Sequence, residues 1–279
     1  MPFKTILVYC DSSGPTKGRL AVAIGLAERF GGLLVALHAR HPFQSPAFFD
    51  AGFSMDALFA AYQESVDREL AAAKAIFDGA IKGKAIATEW RAVDGFPDEM
   101  LAVHARYADL VVAGQAMPAE SANPNTPPDL AETVALASGR LTLVVPHIPL
   151  TRPPGKVVML CWNASREAAR AATDALPFLK AAEKVIVLVV DPSGSPGHGA
   201  EPGADIATWL ARHGVKATVQ RDTAADGDVG ATILSRAADH DVDLIVMGIY
   251  GHSRVREFVL GGASRTLLAS MTVPVLMAH

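Results

Sequence analysis

Four glycines near the end of the chain have a spacing that suits the binding of an anion. Gly248 follows the apolar run "DLIVM", Gly251 comes three residues later, and Gly261 and Gly262 precede the helical pattern "ASRTLLASM". Backbone N–H groups that lead into a helix N-terminus bind anions, because they lack partners and the helix dipole favours negative charge. A simple turn explains any one of these glycines, but the combined spacing after a strand favours a phosphate-binding loop.

The composition excludes several other classes of function. The net charge of −4 and the pI near 6.1 leave no basic surface for nucleic acid. Cys10 and Cys161 lie in apolar runs, which predicts reduced core thiols. The histidines lack metal-ligand spacing, so we expect no metal site in the protein itself. The apolar run at the N-terminus is too short for a signal peptide, and no run is long enough to span a membrane, so we expect a cytoplasmic protein.

Three segments of the first half recur in the same order in the second. "KTILVYCDSS" from Lys4 resembles "KVVMLCWNAS" from Lys156, and "ADLVVAG" resembles "VDLIVMG". "LTLVVPH", which ends at His147, resembles "VPVLMAH", which ends at His279. The repeat predicts two domains, residues 1–150 and 151–279, with a boundary near Leu150 in the proline-rich segment "PHIPLTRPPGK".

Apolar runs alternate with helix-period segments in both halves. The first half has strand patterns at residues 5–10, 33–39, 86–93, 110–113 and 141–145, and the second at 156–162, 184–190, 216–221, 243–247 and 273–277. These runs are apolar throughout, as in strands that are covered on both faces. The fold class is therefore α/β, with two tandem doubly wound domains, each a five-stranded parallel sheet of order 3-2-1-4-5. Ligands of such sheets bind at the carboxyl ends of the strands, where the strand order reverses.

The chain resembles a tandem universal stress protein. Nucleotide-binding members of that family carry Gly, two residues, Gly, nine residues, Gly and then Ser or Thr after the fourth strand. Gly248, Gly251 and Gly261 match this pattern, whereas Gly262 stands at the hydroxyl position and Ser264 follows two residues later. The resemblance implies that the second half binds ATP or another adenine nucleotide, with or without Mg²⁺.

The resemblance also assigns residues to the nucleotide site. The first strand of the family ends in Asp, a small residue and Ser, for which the second half has Asn163, Ala164 and Ser165. Asn163 can hydrogen-bond but lacks the charge that would help to hold a metal on the phosphates. The residues expected around the nucleotide are Trp162, Asn163, Ser165, Val189, Met247, Gly248, Tyr250, Gly251, His252, Arg254, Gly261, Gly262, Ala263 and Ser264. Two alternatives stay open: burial of Trp162 in the interdomain core, and a solvated helix face on which Arg254 pairs with Glu257.

The first half departs from the family pattern at the loop. It keeps Asp11 and Ser13 after its first strand, but Met117 stands where the second glycine is expected, and no further glycine follows until Gly139. Prolines in this segment remove backbone donors. We therefore interpret residues 1–150 as a degenerate copy, and expect one nucleotide per chain.

The resemblance implies a stress-response regulator or adaptor that acts through conformation or through a protein partner. No nucleophile with a matched base is evident, so catalysis is not expected beyond slow ATP turnover. Two alternatives stay open, a nucleotide-free interaction module and a slow ATP hydrolase of the same fold. The resemblance further implies that the strands ending at Val145 and Met277 pair within one chain, giving a pseudo-dimer, and it leaves a homodimer open.

Overall fold

The computed structural model describes residues 3–43, 54–191, 201–249 and 262–279. The first half contains β1 (Thr5–Tyr9), α1 (Thr16–Phe30), β2 (Leu33–Arg40), α2 (Met55–Ile81), β3 (Thr88–Asp94), α3 (Pro97–Ala105), β4 (Leu110–Gly114), α4 (Leu130–Ser138) and β5 (Thr142–Val145). The second contains β6 (Val157–Cys161), α5 (Arg166–Asp174), α6 (Leu176–Ala181), β7 (Lys184–Val190), α7 (Ala204–Arg212), β8 (Ala217–Asp222), α8 (Val229–Asp239), β9 (Leu244–Gly248), α9 (Gly262–Ser270) and β10 (Val275–Ala278). A one-turn 3₁₀ helix covers Ala225–Gly227.

The strands form one continuous ten-stranded sheet in the order β3-β2-β1-β4-β5-β10-β9-β6-β7-β8. Each half has the predicted order 3-2-1-4-5 and parallel pairing throughout. β5 and β10 pair antiparallel, with Leu143 opposite Leu276, so the predicted intramolecular pairing is confirmed. The division into domains near Leu150 stays a prediction, because the sheet crosses it without a break.

The register corrects one detail of the repeat. The sequence match that ends at the two histidines aligns Val145 with Met277. In the structure, Val145 lies beside Gly114 and Ala278 lies beside Gly248, and these two glycines correspond. Val145 therefore corresponds to Ala278, and the match based on the last strands was wrong by one residue, because alternative alignments of two apolar strands look alike in sequence.

Helices cover both faces of the sheet. On one face a single apolar cluster continues across both halves, including residues of α1, α2, α5, α6 and α7. On the other face α3 and α4 cover the first half, while α8 and α9 cover the second. Cys10 lies in the core and Cys161 is half-buried, and both thiols are free.

Two strands differ from the expectation that both faces are covered. β3 and β8 are the outer strands of the sheet, and along each of them half-buried residues alternate with exposed ones. An outer strand lacks a neighbour on one side, so helices cover it less completely. The remaining strands are largely buried, as predicted.

Helix ends follow the sequence signals. α1 ends at Gly31, which has the left-handed φ of 63° and donates its N–H to Ala27 O, as a C-terminal stop requires. The helical stretch after Ser165 divides into α5 and α6 at Ala175, because Pro177 cannot continue the backbone hydrogen bonding of a longer helix. In the part of the chain that the structure describes, no helix is long and apolar enough to cross a membrane.

Gln115 joins the two halves beside the β5–β10 pairing. Its buried side chain donates from Nε2 to Leu268 O at 2.8 Å and to Ala269 O at 3.1 Å, both in the last turn of α9. Its Oε1 accepts from His147 N at 3.2 Å. Carbonyl groups in the last turn of a helix have no partner within the helix, so this amide satisfies the buried carbonyl group of Leu268 and also bonds that of the exposed Ala269.

Replacing Gln115 with alanine should destabilise the protein by about 1–3 kcal/mol, because it leaves the buried carbonyl group of Leu268 unsatisfied. Urea unfolding followed by circular dichroism measures the loss. The matched control is Gln63→Ala, which removes one exposed 3.3 Å hydrogen bond to Asp67 and should change stability by less than about 0.5 kcal/mol. Equal losses for the two variants would contradict this role of Gln115.

Candidate functional site

The fold places two crevices at the carboxyl ends of its strands. In the first half, β1 and β4 are neighbours at the point where the strand order reverses, and in the second half β6 and β9 are. Ligands of doubly wound sheets bind at such points. The residues that follow β1, β4, β6 and β9 therefore decide what each half can bind.

A short polar turn connects β6 to α5 in the second half. Asn163 Oδ1 accepts from Ser165 N at 3.1 Å, and Ala164 adopts a positive φ of 57°. Ser165 is the N-cap of α5, and its Oγ accepts from Ala168 N at 3.1 Å. These hydrogen bonds fix the direction of α5, so that its N-terminus lies at the end of β6.

Gly248 allows the first turn of α5 to approach the end of β9. A Cβ atom at this position would lie 2.4 Å from Ala168 N and 2.5 Å from Glu167 C, which is closer than atoms can pack. The contact is with backbone, which cannot move aside as the end of a side chain can. Gly248 is therefore required for close packing between β9 and α5, a role that the sequence did not distinguish from a turn.

The start of α9 has different surroundings. Gly262 is exposed, and a Cβ there would meet no atom within 4 Å among the described residues. Ala263 is half-buried and Ser264 is buried, so Ser264 lies on the covered side of the helix. α9 packs closely on α8, because a Cβ at Gly230 would lie 2.6 Å from Ala263 O. The first residue of α9 is thus the open part of its N-terminus.

The structure separates the remaining predicted residues into two groups. Trp162 is half-buried and packs against the core, while Val189 and Met247 are buried. A Cβ at Gly203 would lie 3.2 Å from Val189 Cγ2, so this side chain contacts the N-cap of α7. The nucleotide contacts of these residues stay predictions. Five predicted residues lie outside the described part of the chain: Tyr250, Gly251, His252, Arg254 and Gly261.

Two charged residues in the first turn of α5 were missed by the sequence interpretation. Arg166 is exposed, and its Nε donates to a carboxylate oxygen of the buried Glu167. Burial alone would raise the pKa of Glu167, but the hydrogen bonds from Arg166 and the backbone outweigh it and lower the pKa. Their position directly after the N-cap Ser165 is the signal that could have identified them.

The crevice of the first half contains a buried ion pair. The Arg19 guanidinium lies 3.2 Å from Asp11 Oδ1, and both side chains are buried. Asp11 also accepts from Ser13 Oγ at 2.5 Å, from Thr16 Oγ1 and from Thr126 Oγ1 at 3.1 Å. Burial alone would raise the pKa of Asp11, but Arg19 and these hydrogen bonds outweigh it and lower the pKa to about 2.

The proline-containing segment after β4 is tied down beside this ion pair. Glu69 on α2 accepts from Asn123 Nδ2 at 2.5 Å and from Asn125 Nδ2 at 2.6 Å. Thr126 follows directly and reaches Asp11. The segment that was predicted to lack a phosphate loop therefore contributes hydrogen-bonding side chains to the crevice instead.

Two further features bear on ligands. Among the residues described, no group of three or more His, Cys, Asp and Glu side chains is arranged to hold a metal.

A groove of about 660 Å³ lies between α1 and α2, lined by residues such as Lys17, Gly25 and Gly79. It contains none of the predicted nucleotide-binding residues.

The ion pair predicts a dependence of stability on pH. The lowered pKa of Asp11 means that its stabilising contribution is present above the unfolded pKa of 3.8 and is lost as the pH falls towards 2. The shift corresponds to about 2 kcal/mol. Asp11→Asn should therefore be clearly less stable than wild type at pH 7, and the difference should narrow between pH 4 and pH 2, where protonation removes the carboxylate from the wild type.

Urea unfolding at several pH values measures this difference. The control is Asp205→Asn, which changes an exposed carboxylate in the first turn of α7 and should leave a small difference at every pH. If the difference in the free energy of unfolding between Asp11→Asn and wild type stays constant down to pH 2, ionisation of Asp11 is not the source of that difference.

Two solved structures, with TM-scores of 0.70 and 0.58, support the fold. A universal stress protein from Archaeoglobus fulgidus DSM 4304 is 16% identical, with a TM-score of 0.70 over 98% of this chain and 95% of that one. A functionally unknown protein from Pseudomonas aeruginosa PAO1 is 14% identical, with a TM-score of 0.58 over 99% of this chain and 92% of that one. A universal stress protein solved in complex with cAMP matches 52% of this chain and 98% of its own, at 23% identity and a TM-score of 0.38.

The family comparison covers both halves of the chain. The model of the Universal stress protein family matches residues 2–116 and 155–279. Curated protein sequences give no significant match. The first matched segment contains β1–β4 and the second contains all five strands of the second half. Since the two segments make up most of the chain, the protein belongs to the universal stress protein family.

Proposed function

We propose that this protein binds an adenine nucleotide, with ATP as the first candidate, at the carboxyl edge of its second half. The observation that carries the proposal is the convergence of two helix N-termini on one edge. α5 follows the end of β6 directly, and α9 leads back from the edge where β9 ends. Helix N-termini present free N–H groups and a positive dipole end, which together attract phosphate.

The open start of α9 supports the same ligand. Gly262 is exposed, and among the described residues no side chain would keep phosphate oxygens from the first N–H groups of α9. Arg166 adds an exposed cation at the same edge of the sheet. Gly251 and Gly261 complete the proposed loop by their spacing in the sequence.

The described residues at this edge offer little to a metal. Asn163 is neutral, and the carboxylate of Glu167 is bonded to Arg166. Mg²⁺ prefers carboxylate and phosphate oxygens, and usually keeps several waters when it binds with a nucleotide. Residues at this edge therefore fit a nucleotide whose own phosphates hold the metal. Mg²⁺ should change the affinity only modestly.

A bound nucleotide would be connected to the first half through α9. The last turn of this helix is held by Gln115, which follows β4 of the first half. Ordering the start of α9 by a ligand would also restrict its other end, which touches the first half. We therefore propose that the protein acts as a stress-response regulator or adaptor through conformation, and recognises a partner protein rather than catalysing a reaction.

A nucleotide-free interaction module is the second candidate. It is favoured by two departures from the nucleotide-binding pattern, Gly262 in place of a hydroxyl residue and Asn163 in place of an aspartate. Both departures reduce the contacts available to phosphates or to their metal. Isothermal titration with ATP, with and without Mg²⁺, at about 100 μM protein separates the two candidates. The absence of heat in the wild type would overturn the proposed nucleotide binding.

The loop assignment has its own test. Gly251→Val should abolish ATP binding, because a branched side chain would fill the space proposed for phosphate. The matched control is Met117→Val at the corresponding position of the first half, which should leave one ATP per chain with unchanged affinity. Circular dichroism checks that both variants fold. Normal ATP binding by Gly251→Val would show that the loop is assigned wrongly.

A time course of the bound nucleotide tests for hydrolysis. In the described residues we find no nucleophile held by a base and an orienting acid at the second-half edge, so bound ATP should persist over many hours. Thin-layer analysis of nucleotide released by denaturation measures this. Conversion to ADP within minutes would identify an ATP hydrolase instead.

A further inference from the structure

The crevice of the first half is filled by the guanidinium group of Arg19. Its Nε donates to Tyr9 O at 2.7 Å, and its Nη2 donates to Thr16 Oγ1 at 2.9 Å and to Asp11 Oδ1 at 3.2 Å. Nη1 lies against the end of β4, since a Cβ at Gly114 would be 2.4 Å from it. The group therefore occupies the space between the ends of β1 and β4, where a ligand of this fold would bind.

The atoms that surround this guanidinium are acceptors. They comprise the carboxylate of Asp11, the carbonyl of Tyr9 and the hydroxyl oxygen of Thr16. The second oxygen of Asp11 is held by Thr126 Oγ1 at 3.1 Å, so the carboxylate is fixed in position. A guanidinium has five donors and no acceptor, and so it matches this lining. A phosphate site is lined by hydrogen-bond donors, whereas the groups around Arg19 are hydrogen-bond acceptors.

The second half differs at the corresponding position. Arg19 lies on the buried face of α1, and the repeat that relates Lys4 to Lys156 relates it to Ala171, which is also fully buried. There the first turn of α5 packs directly on Gly248, and Asn163 replaces the aspartate. At equivalent places in the fold, the first half thus has the cation Arg19 and the carboxylate of Asp11. The second half has the N-terminus of α5 and the neutral amide of Asn163.

We infer that the crevice of the first half is a guanidinium-binding site which the chain occupies with its own Arg19, and which rejects phosphate by charge. Removing Arg19 leaves a cavity lined by a carboxylate and further acceptors. Such a cavity takes a small guanidinium compound from solution and repels the phosphates of a nucleotide. The inference goes beyond the nucleotide site proposed for the second half and does not depend on it.

Chemical rescue of Arg19→Ala by methylguanidinium tests the inference. The variant should unfold about 5 °C or more below wild type, because it leaves the carboxylate of Asp11 buried without its partner. Methylguanidinium chloride at up to about 20 mM should raise the midpoint of the variant in a saturable way, while leaving wild type unchanged. Methylammonium chloride at equal ionic strength is the control for non-specific salt effects.

The double variant Asp11→Asn/Arg19→Ala isolates the carboxylate. Without the negative charge, methylguanidinium should give no more stabilisation than methylammonium. Equal rescue of the single and double variants would overturn the inference, because the cation would then be recognised by something other than Asp11. The absence of any rescue in Arg19→Ala would also overturn it.

A second pair of variants applies if Arg19→Ala does not fold. Arg19→Lys keeps the positive charge but loses the planar fork, and Arg19→Gln loses the charge. The thermal midpoint of Arg19→Lys should lie between those of wild type and Arg19→Gln. Equal midpoints for the lysine and glutamine variants would show that the crevice does not select a cation, and would overturn the inference.

Titration with ATP completes the test by measuring how many ATP molecules each variant binds per chain. Arg19→Ala should bind no more ATP per chain than wild type does. One additional ATP would show that Arg19 merely blocks the space and that the lining accepts phosphate, which overturns the inference. If wild type itself binds no ATP, the proposed function of the second half fails, whereas the methylguanidinium result still decides the inference about the first.

Discussion

The antiparallel pairing of β5 with β10 is the constraint on which the rest of the architecture depends. It unites two sets of five parallel strands in one sheet, and it covers an edge of each that would otherwise present unpaired backbone groups. Leu143 and Leu276 correspond in the repeat and lie opposite each other, so the two halves are related by an approximate two-fold axis between them. Because the pairing is antiparallel, the carboxyl edges of the halves face opposite ends of the sheet.

This arrangement places the two ends of α9 at opposite edges of the sheet. The carboxyl edge of the first half lies at the same end as the C-terminus of α9, which is why Gln115 reaches the carbonyl groups of Leu268 and Ala269. The N-terminus of α9 lies about 14 Å away at the opposite edge, since a helix rises by about 1.5 Å per residue. One short helix therefore connects the proposed nucleotide site to the interface between the halves.

Much of the fold follows from the sequence because its signals are local and repeated. The alternation of apolar runs and helical segments indicated ten strands, and the matched segments indicated that they form two sets of five. Asp109 and Asp243 show why such matches persist: each accepts hydrogen bonds from the amides that lead into the first strand of its half. That structural role requires an aspartate in either half, whatever the half binds.

The candidate site was less predictable, because its contacts join residues that are far apart in the chain. No sequence pattern singles out Arg19, and only the fold shows that its guanidinium lies close to Gly114 and Asp11. Gly248 was recognised from its spacing, but its close contact with α5 depends on packing across the sheet. The match between the last strands was wrong by one residue because apolar strands carry little information about register.

The two crevices differ in the charges that they contain. Both halves have a pair of neighbouring parallel strands, β1 with β4 and β6 with β9, at the point where the strand order reverses. In the first half the carboxylate of Asp11 is buried at this point. Burying a carboxylate is unfavourable unless a cation accompanies it, and Arg19 provides that cation within the chain. In the second half the corresponding positions are Asn163 and Ala171, so no buried charge requires a partner at those positions. The N-termini of α5 and α9 lie at the carboxyl edge of this half, and the nucleotide proposed for the second half would bring its negative charge to their positive dipole ends.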